Sequence, residues 1–222
     1  MIKGELHLFI LWEKGQDQKD RIVNDIRKNF SLLKMVDVLW APQYFHENLA
    51  RFYGKKLKKS YKKDKTIGTG MFTVFIVCDQ EANKHTVGGV NTKMVNFKKK
   101  YREWLGGNLL HASDGTLEGK ENLLFLFKMS EPELKANYKK LPSVYNQGAL
   151  AERGFKSQKD FNDTLKRLPF DVKCISENVY RSTHPVLMAR LINAKPRKFL
   201  FIQRKGKYTI QVANKKVNIQ LI

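Results

Sequence analysis

Along residues 5 to 12 (ELHLFILW) bulky apolar side chains alternate weakly, as in a strand at the middle of a sheet. From Asp17 to Phe30 the period lengthens. Ile22, Val23, Ile26 and Phe30 recur at helical spacing behind acidic residues that suit a helix N-terminus. Residues 35 to 40 (MVDVLW) read as a second strand. Ala41-Pro42 then opens a helix reaching about Tyr53, with the proline where its missing donor does no harm. A lysine-rich loop with Gly68 and Gly70 precedes MFTVFIVC (71 to 78), the clearest strand in the chain. Residues 96 to 105 read as a helix, 117 to 123 as a short helix, and LLFLF (123 to 127) as a fourth strand.

The resulting order, β-α-β-α-β-α-β, predicts an α+β fold: a ferredoxin-like four-stranded antiparallel sheet with helices, plus a small β-rich C-terminal module. Residues 130 to 150 are polar, punctuated by proline and glycine, and read as a linker or lid. Ser157 to Leu168 is amphipathic, and the last 24 residues form three alternating segments split at Lys205-Gly206 and Asn214-Lys215, a β-meander. The predicted domains are an α+β core over 1–138, then a linker, helix and basic β-meander over 139–222.

Composition narrows the class. No apolar run reaches the roughly 18 to 20 residues that span a bilayer, and the N-terminus reads as a strand, not a signal peptide. Cys78 and Cys174 sit far apart in apolar runs, as reduced core thiols would, which predicts a cytoplasmic protein. Lys+Arg outnumber Asp+Glu by 42 to 21, and the +21 charge predicts an anionic partner: nucleotide, other phosphorylated substrate, nucleic acid or polymer. The cations cluster at Lys55–Lys65, Lys98–Lys100 and Lys195–Lys216. His7, His46, His85 and His184 have no metal-ligand spacing, so no metal site is predicted from protein ligands.

Candidate chemistry gathers at Asn108–Gly115, NLLHASDG. His111 stands between an apolar approach and a small acidic turn. Ser113 and Asp114 can cap the following helix and fix the imidazole, and Gly106-Gly107 allow close backbone approach. A neutral imidazole nitrogen near pH 7 can act as base or as nucleophile on phosphorus. A hydrogen-bonded structural histidine is the plainer alternative.

NLLHASDG resembles the active-site signature of nucleoside diphosphate kinases: Asn, two apolar residues, the phosphorylated His, a small residue, Ser, Asp and a small residue. The resemblance covers residues 5 to 128. It implies a phosphohistidine at His111 formed from a nucleoside triphosphate such as ATP, with Mg²⁺ on the nucleotide phosphates. It implies support from Asn108, Ser113, Asp114 and Glu118. Phosphate or nucleotide contacts would come from Arg102, Lys14 and Tyr53, although Tyr53 also suits a core aromatic and Arg102 a solvated face. Trp12 falls at the family's lysine position, Lys14 being a displaced substitute, and Asn122 falls where the family has a glutamate. The expected function is thus a divergent phosphotransferase with an unknown acceptor. Its rivals are a basic nucleic-acid-binding module with a relict site and a non-catalytic interaction domain. Assembly into a homo-oligomer is a further expectation.

Overall fold

The computed structural model describes residues 2–53, 65–147, 158–166, 168, 171–176, 179–182, 195–199, 202–212 and 215–221. The chain divides into two units, Met1–Leu150 and Ala151–Ile222. In the first, β1 (Glu5–Leu11) leads through a 3-10 segment (Glu13–Gln18) to α1 (Lys19–Asn29), β2 (Ser31–Trp40) and α2 (Pro42–Tyr53). Then come β3 (Phe72–Asp79), α3 (Ala82–His85), the β4 (Thr86–Val87) and β5 (Val90–Asn91) hairpin, and α4 (Thr92–Trp104). β6 (Leu110–Ala112), α5 (Thr116–Phe127), α6 (Glu131–Asn137) and β7 (Val144–Gln147) complete the unit.

β1 is an interior strand, buried from Leu6 to Leu11. It pairs antiparallel with β3, from Glu5↔Asp79 to Leu11↔Thr73, and on its other edge with β6. β2 pairs antiparallel with β3, giving the order β6-β1-β3-β2. Numbered by succession this is 4-1-3-2, the ferredoxin-like arrangement. One face packs on α1 and α4 through Phe9, Ile22, Ile26, Phe75, Met94 and Tyr101. The opposite face carries the fully buried aromatics Trp12, Trp40, Phe45 and Phe72.

Three expectations are corrected. LLFLF is not a strand: it is the last part of α5, with Leu123 to Phe127 all buried. An all-buried helix shows the same continuous apolar run as a buried strand, and here no breaker separates it from the helical turn before it. The fourth strand is instead β6, three residues long and inside the signature. Second, 130–147 is neither linker nor lid. Ser130 and Glu133 form a capping box on α6, Leu134 is buried, and β7 extends the sheet parallel to β2 from Asp37↔Val144 to Trp40↔Gln147. Third, only Cys78 is a core thiol; Cys174 is exposed.

The second unit contains α7 (Gln158–Lys166), β8 (Val172–Ser176), β9 (Val179–Ser182), β10 (Lys195–Phe199), β11 (Ile202–Val212) and β12 (Lys215–Leu221). The expected meander is β10-β11-β12, all antiparallel, but β11 runs straight through Lys205-Gly206. β9 joins β12 in parallel and β8 completes a five-stranded sheet. Among the described residues no helix is long and apolar enough to cross a membrane.

Candidate active site

His111 is the middle residue of β6. Its cross-strand partner is Ile10, which turns the ring toward the aromatic face of the sheet. The residue is 3% exposed. Asn122 and Glu118, one helical turn apart on α5, both reach it. Asn122 Nδ2 lies 3.1 Å from His111 Nε2, and Glu118 Oε1 lies 3.9 Å from the same nitrogen. Two rings of the last turn of α2 meet the imidazole edge-on: Phe52 at 5.0 Å and Tyr53 at 5.4 Å between centroids.

The Asn122 contact sets the tautomer. If the amide nitrogen donates, Nε2 holds the lone pair and Nδ1 the proton. With the amide reversed, its oxygen accepts from Nε2–H and Nδ1 becomes the nucleophilic atom.

Arg102, near the end of α4, donates from Nε to the Leu110 carbonyl at 3.0 Å, which anchors its guanidinium beside β6. Burial pushes the Tyr53 hydroxyl well above the ordinary phenol range, against the opposing pull of the Trp12 indole N–H and the Arg102 charge. Tyr53 is therefore a neutral hydroxyl at every physiological pH.

The remaining candidates stand elsewhere. Ser113, fully buried, faces His7 rather than His111: its Oγ lies 3.2 Å from His7 Nδ1 and accepts the Leu8 N–H at 3.3 Å. Asp114 pairs with Lys98 at 2.6 Å, accepts the Asn91 N–H on its carbonyl at 2.8 Å, and donates its own N–H to Glu118 at 2.7 Å. These two residues tie the signature turn to β1, β5 and α4. Lys14 donates to the Lys65 carbonyl at 2.6 Å, and Asn108 is exposed in the turn before β6. The fold thus brings Glu118 and Tyr53 to the His111 ring, adds Asn122 and Phe52, and holds Arg102 at the neighbouring Leu110 carbonyl.

The turn tolerates no side chain at Gly115, where a Cβ would run into the carbonyl oxygen of Gly89 in the β4–β5 loop. Gly115→Ala is expected to push that hairpin away and cost about 1–3 kcal/mol in urea melts. Gly107→Ala, with nothing within 4 Å of the added carbon, is the control expected to leave the midpoint nearly unchanged.

Sequence reasoning missed a second histidine centre. His7 is fully buried, with Nε2 3.4 Å from Asn91 Nδ2 and 3.3 Å from Glu5 Oε2. Asn91 caps α4, accepting the Met94 N–H on Oδ1 at 3.0 Å, so its Nδ2 is the donor; it also reaches Asp79 at 3.0 Å. His7 Nε2 thus faces both the Asn91 amide and the Glu5 carboxylate, while Nδ1 faces the Ser113 hydroxyl, and the tautomer fixes the direction of each bond. Burial lowers the His7 pKa, outweighing the attraction of Glu5, Asp79 and Glu131 for a proton. Burial pushes the Asp79 carboxyl up, but Asn91 and Lys93 together bring it below its ordinary value.

These shifts act in separate pH windows. The unfolded chain protonates this histidine near pH 6.5, before the folded one does. The contribution of neutral His7 is therefore complete above about pH 6.5 and is lost as pH falls from there through the folded value. The Asp79 contribution is lost only below about pH 4. Urea midpoints of the whole chain are expected to drop between about pH 7 and pH 5, and less steeply in His7→Gln. Equal slopes in the two proteins would remove His7 as the source.

No protein-family model matches this chain, and no curated protein does. Solved structures similar to it include nucleoside diphosphate kinases. That of Aquifex aeolicus is 17% identical over 58% of this chain and 97% of its own, with a TM-score of 0.39. The Pyrobaculum aerophilum enzyme has the same identity and coverages at a TM-score of 0.33. A third, from Borrelia burgdorferi, is a transition-state mimic with bound vanadate and ADP; it is 13% identical over 52% of this chain and 82% of its own, at 0.34. The ferredoxin-like assignment rests on the strand order of this chain alone.

Two further features bear on partners. In the cluster at 98–100, Lys98 is paired with Asp114, and Lys100 is paired with Asp25 at 2.8 Å while lying over Phe97 and Trp104. Two of these three cations are neutralised within the fold, which weakens that cluster as a polyanion surface. Lys55–Lys63 lie outside the described residues, as do the side chains from Lys195 to Lys216. Among the described residues, no group of three or more His, Cys, Asp or Glu could hold a metal ion.

Proposed function

We propose that the Met1–Leu150 unit transfers a phosphoryl group from a nucleoside triphosphate to an acceptor through His111. One observation carries this reading: the signature histidine is hydrogen-bonded to the helix that follows it, with Tyr53 against its ring and Arg102 held at the adjacent Leu110 carbonyl. Phosphoryl transfer asks the protein mainly for positioning and positive charge around the equatorial oxygens. Asn122 supplies the first and Arg102 the second.

With Nε2–H held by the Asn122 oxygen, the Nδ1 lone pair attacks the terminal phosphorus. The N–P bond forms as the bond to the leaving diphosphate oxygen breaks. Glu118, near Nε2, offsets the positive charge that develops on the ring. In the second half-reaction an acceptor oxygen attacks the same phosphorus and the N–P bond breaks, restoring the neutral imidazole, and the proton of a hydroxyl acceptor leaves to solvent. The acceptor hydroxyl or phosphate belongs to a nucleotide, a sugar or a surface-polymer precursor. The described residues do not form a Mg²⁺ site of their own, so a divalent ion would arrive on the nucleotide phosphates. No step here depends on it.

Phe52 and Tyr53 stand over the ring, so a terminal phosphoryl group reaches it only when they are displaced. That burial favours a second reading, a non-catalytic interaction domain in which His111 is a structural tie. Incubating the whole chain with γ-labelled ATP and Mg²⁺ separates the two. Transfer through His111 predicts label on the protein that is lost in acid and kept in base. A protein that takes up no label under these conditions is the structural-tie domain.

A further inference from the structure

We infer that the outer edge of β2, between Ser31 and Val36, takes up an acidic, extended segment of a partner protein as an added strand. This is independent of the chemistry at His111.

On one side β3 pairs with β2 from Ser31 to Val38. On the other side β7 covers only Asp37 to Trp40. Among the described residues no strand lies beside the stretch from Ser31 to Val36 on that side. The Asp37 N–H points outward, to the Ser143 carbonyl at 2.8 Å. Strand residues two apart aim their backbone groups the same way, so Met35 presents its N–H and C=O on the open side. A cleft of about 570 Å³ lies here, lined by residues 30–35 and by Arg27 of α1.

The lining says what would fill it. It holds two cations and no carboxylate. Lys19, Lys93, Lys98, Lys100 and Lys135 are each paired with an acid, whereas Arg27 and Lys34 have no ion-pair partner among the described residues. Lys28 follows Arg27 in the last turn of α1. The 3-10 turn Tyr138–Lys140, with Lys139 and Lys140 exposed, packs on β2. An acidic strand would meet these cations as well as the open backbone, and half-buried Leu32, Leu33 and Met35 would receive its alternate side chains. A second copy is disfavoured, because β2 beside β2 sets like cations against each other. A lysine next to a bulge at Leu33 also guards an edge against strands of its own kind. Nucleic acid fits less well: Phe30, the aromatic ring of the lining, is buried, so no base stacks on it.

The probe is a fluorescein-labelled peptide that alternates glutamate and valine, titrated with the full chain by anisotropy. Arg27→Glu combined with Lys34→Glu is expected to weaken its binding about tenfold. Lys99→Glu combined with Lys173→Glu changes the net charge equally at exposed positions outside the cleft, and is expected to leave the affinity nearly unchanged. Deuterium uptake over residues 31–36 is expected to fall when the peptide binds. The same peptide methylated on every backbone nitrogen keeps its charge but cannot donate. It is expected not to bind the wild-type chain, a result that needs no variant to fold. Equal weakening in the two double variants, or equal binding of the methylated peptide, would reveal diffuse attraction to a basic chain and overturn the inference. So would a wild-type chain that does not bind the peptide, or a dimer that dissociates on the Arg27 and Lys34 changes. Tighter binding of a single-stranded oligonucleotide of equal charge, lost on those same changes, would overturn it too.

Discussion

His111→Ala is expected to reduce phosphoenzyme formation from ATP to background, a loss of at least about a thousandfold, because no other group can form the N–P bond at that place. The substitution also empties space between Phe52 and Tyr53 and strands the Asn122 amide, which by itself costs about 1–3 kcal/mol. His111→Gln is therefore the companion variant: it keeps a polar group for Asn122 and lacks the nucleophile. Circular dichroism and urea melts should show both folded while both fail to take up label. Ser113→Ala provides the contrast. Its hydroxyl serves His7 and Leu8, so it is expected to lower stability and leave labelling at His111 largely in place. Label that survives in both His111 variants but vanishes in Ser113→Ala would move the chemistry away from the imidazole.

The largest stability effect is expected at Trp40→Ala. Trp40 is fully buried between Phe72 at 4.8 Å and Phe45 at 5.3 Å, and it closes the aromatic face behind the site. Truncating such a ring costs about 3–5 kcal/mol. The indole N–H also donates to Gln147 Oε1 at 2.8 Å, and Gln147 Nε2 in turn donates to the Leu126 carbonyl of α5. One glutamine on β7 thereby joins β2 to α5, and the substitution leaves its oxygen buried and unpaired. A domain of this size has roughly 5–15 kcal/mol in total, so a sizeable unfolded population is expected at 37 °C. Trp40→Phe keeps most of the ring and should cost about 1–2 kcal/mol, which isolates the hydrogen bond. Denaturant midpoints give both values; a Trp40→Ala loss below that of Trp40→Phe would contradict this account of the face.

How far the fold was readable follows from the environment of each element. β1 and β3 are buried along their lengths, and their bulky runs say so directly. α1 has one wet face, hence its clear period. α5 misled because Leu123 to Phe127 are buried all round, which erases the helical period. β6 is three residues long, too short for a period-2 signal, and β7 (VYNQ) has an exposed valine and a polar face, as an edge strand does. Gly88 and Gly89, with φ values of 58° and 81°, make the turn of the β4–β5 hairpin.

The candidate site divides in the same way. NLLHASDG marked His111 because its neighbours lie in one continuous segment. Glu118 and Asn122 follow from helical spacing once α5 is known. Ser113 was assigned to His111 by proximity in sequence, whereas its actual neighbour His7 is 106 residues away across the sheet. Asn91, 84 residues from His7, belongs to the same network. Nothing local distinguishes such a histidine from a surface one; the pairing of β1 with β6 brings Ser113 to it, and Asn91 comes from β5. Trp12 was visible as a departure from the kinase pattern, and its place among Phe72, Trp40, Phe52 and Tyr53 only in three dimensions.

Intact-mass spectrometry of the full chain after exposure to ATP and Mg²⁺, kept at alkaline pH and followed by fragmentation, tests the central claim most directly. Transfer through the imidazole predicts a gain of one phosphoryl group, carried by the peptide that contains His111 and lost on acidification. An unmodified mass, or a phosphoryl group mapped to a serine, threonine or tyrosine, would contradict it.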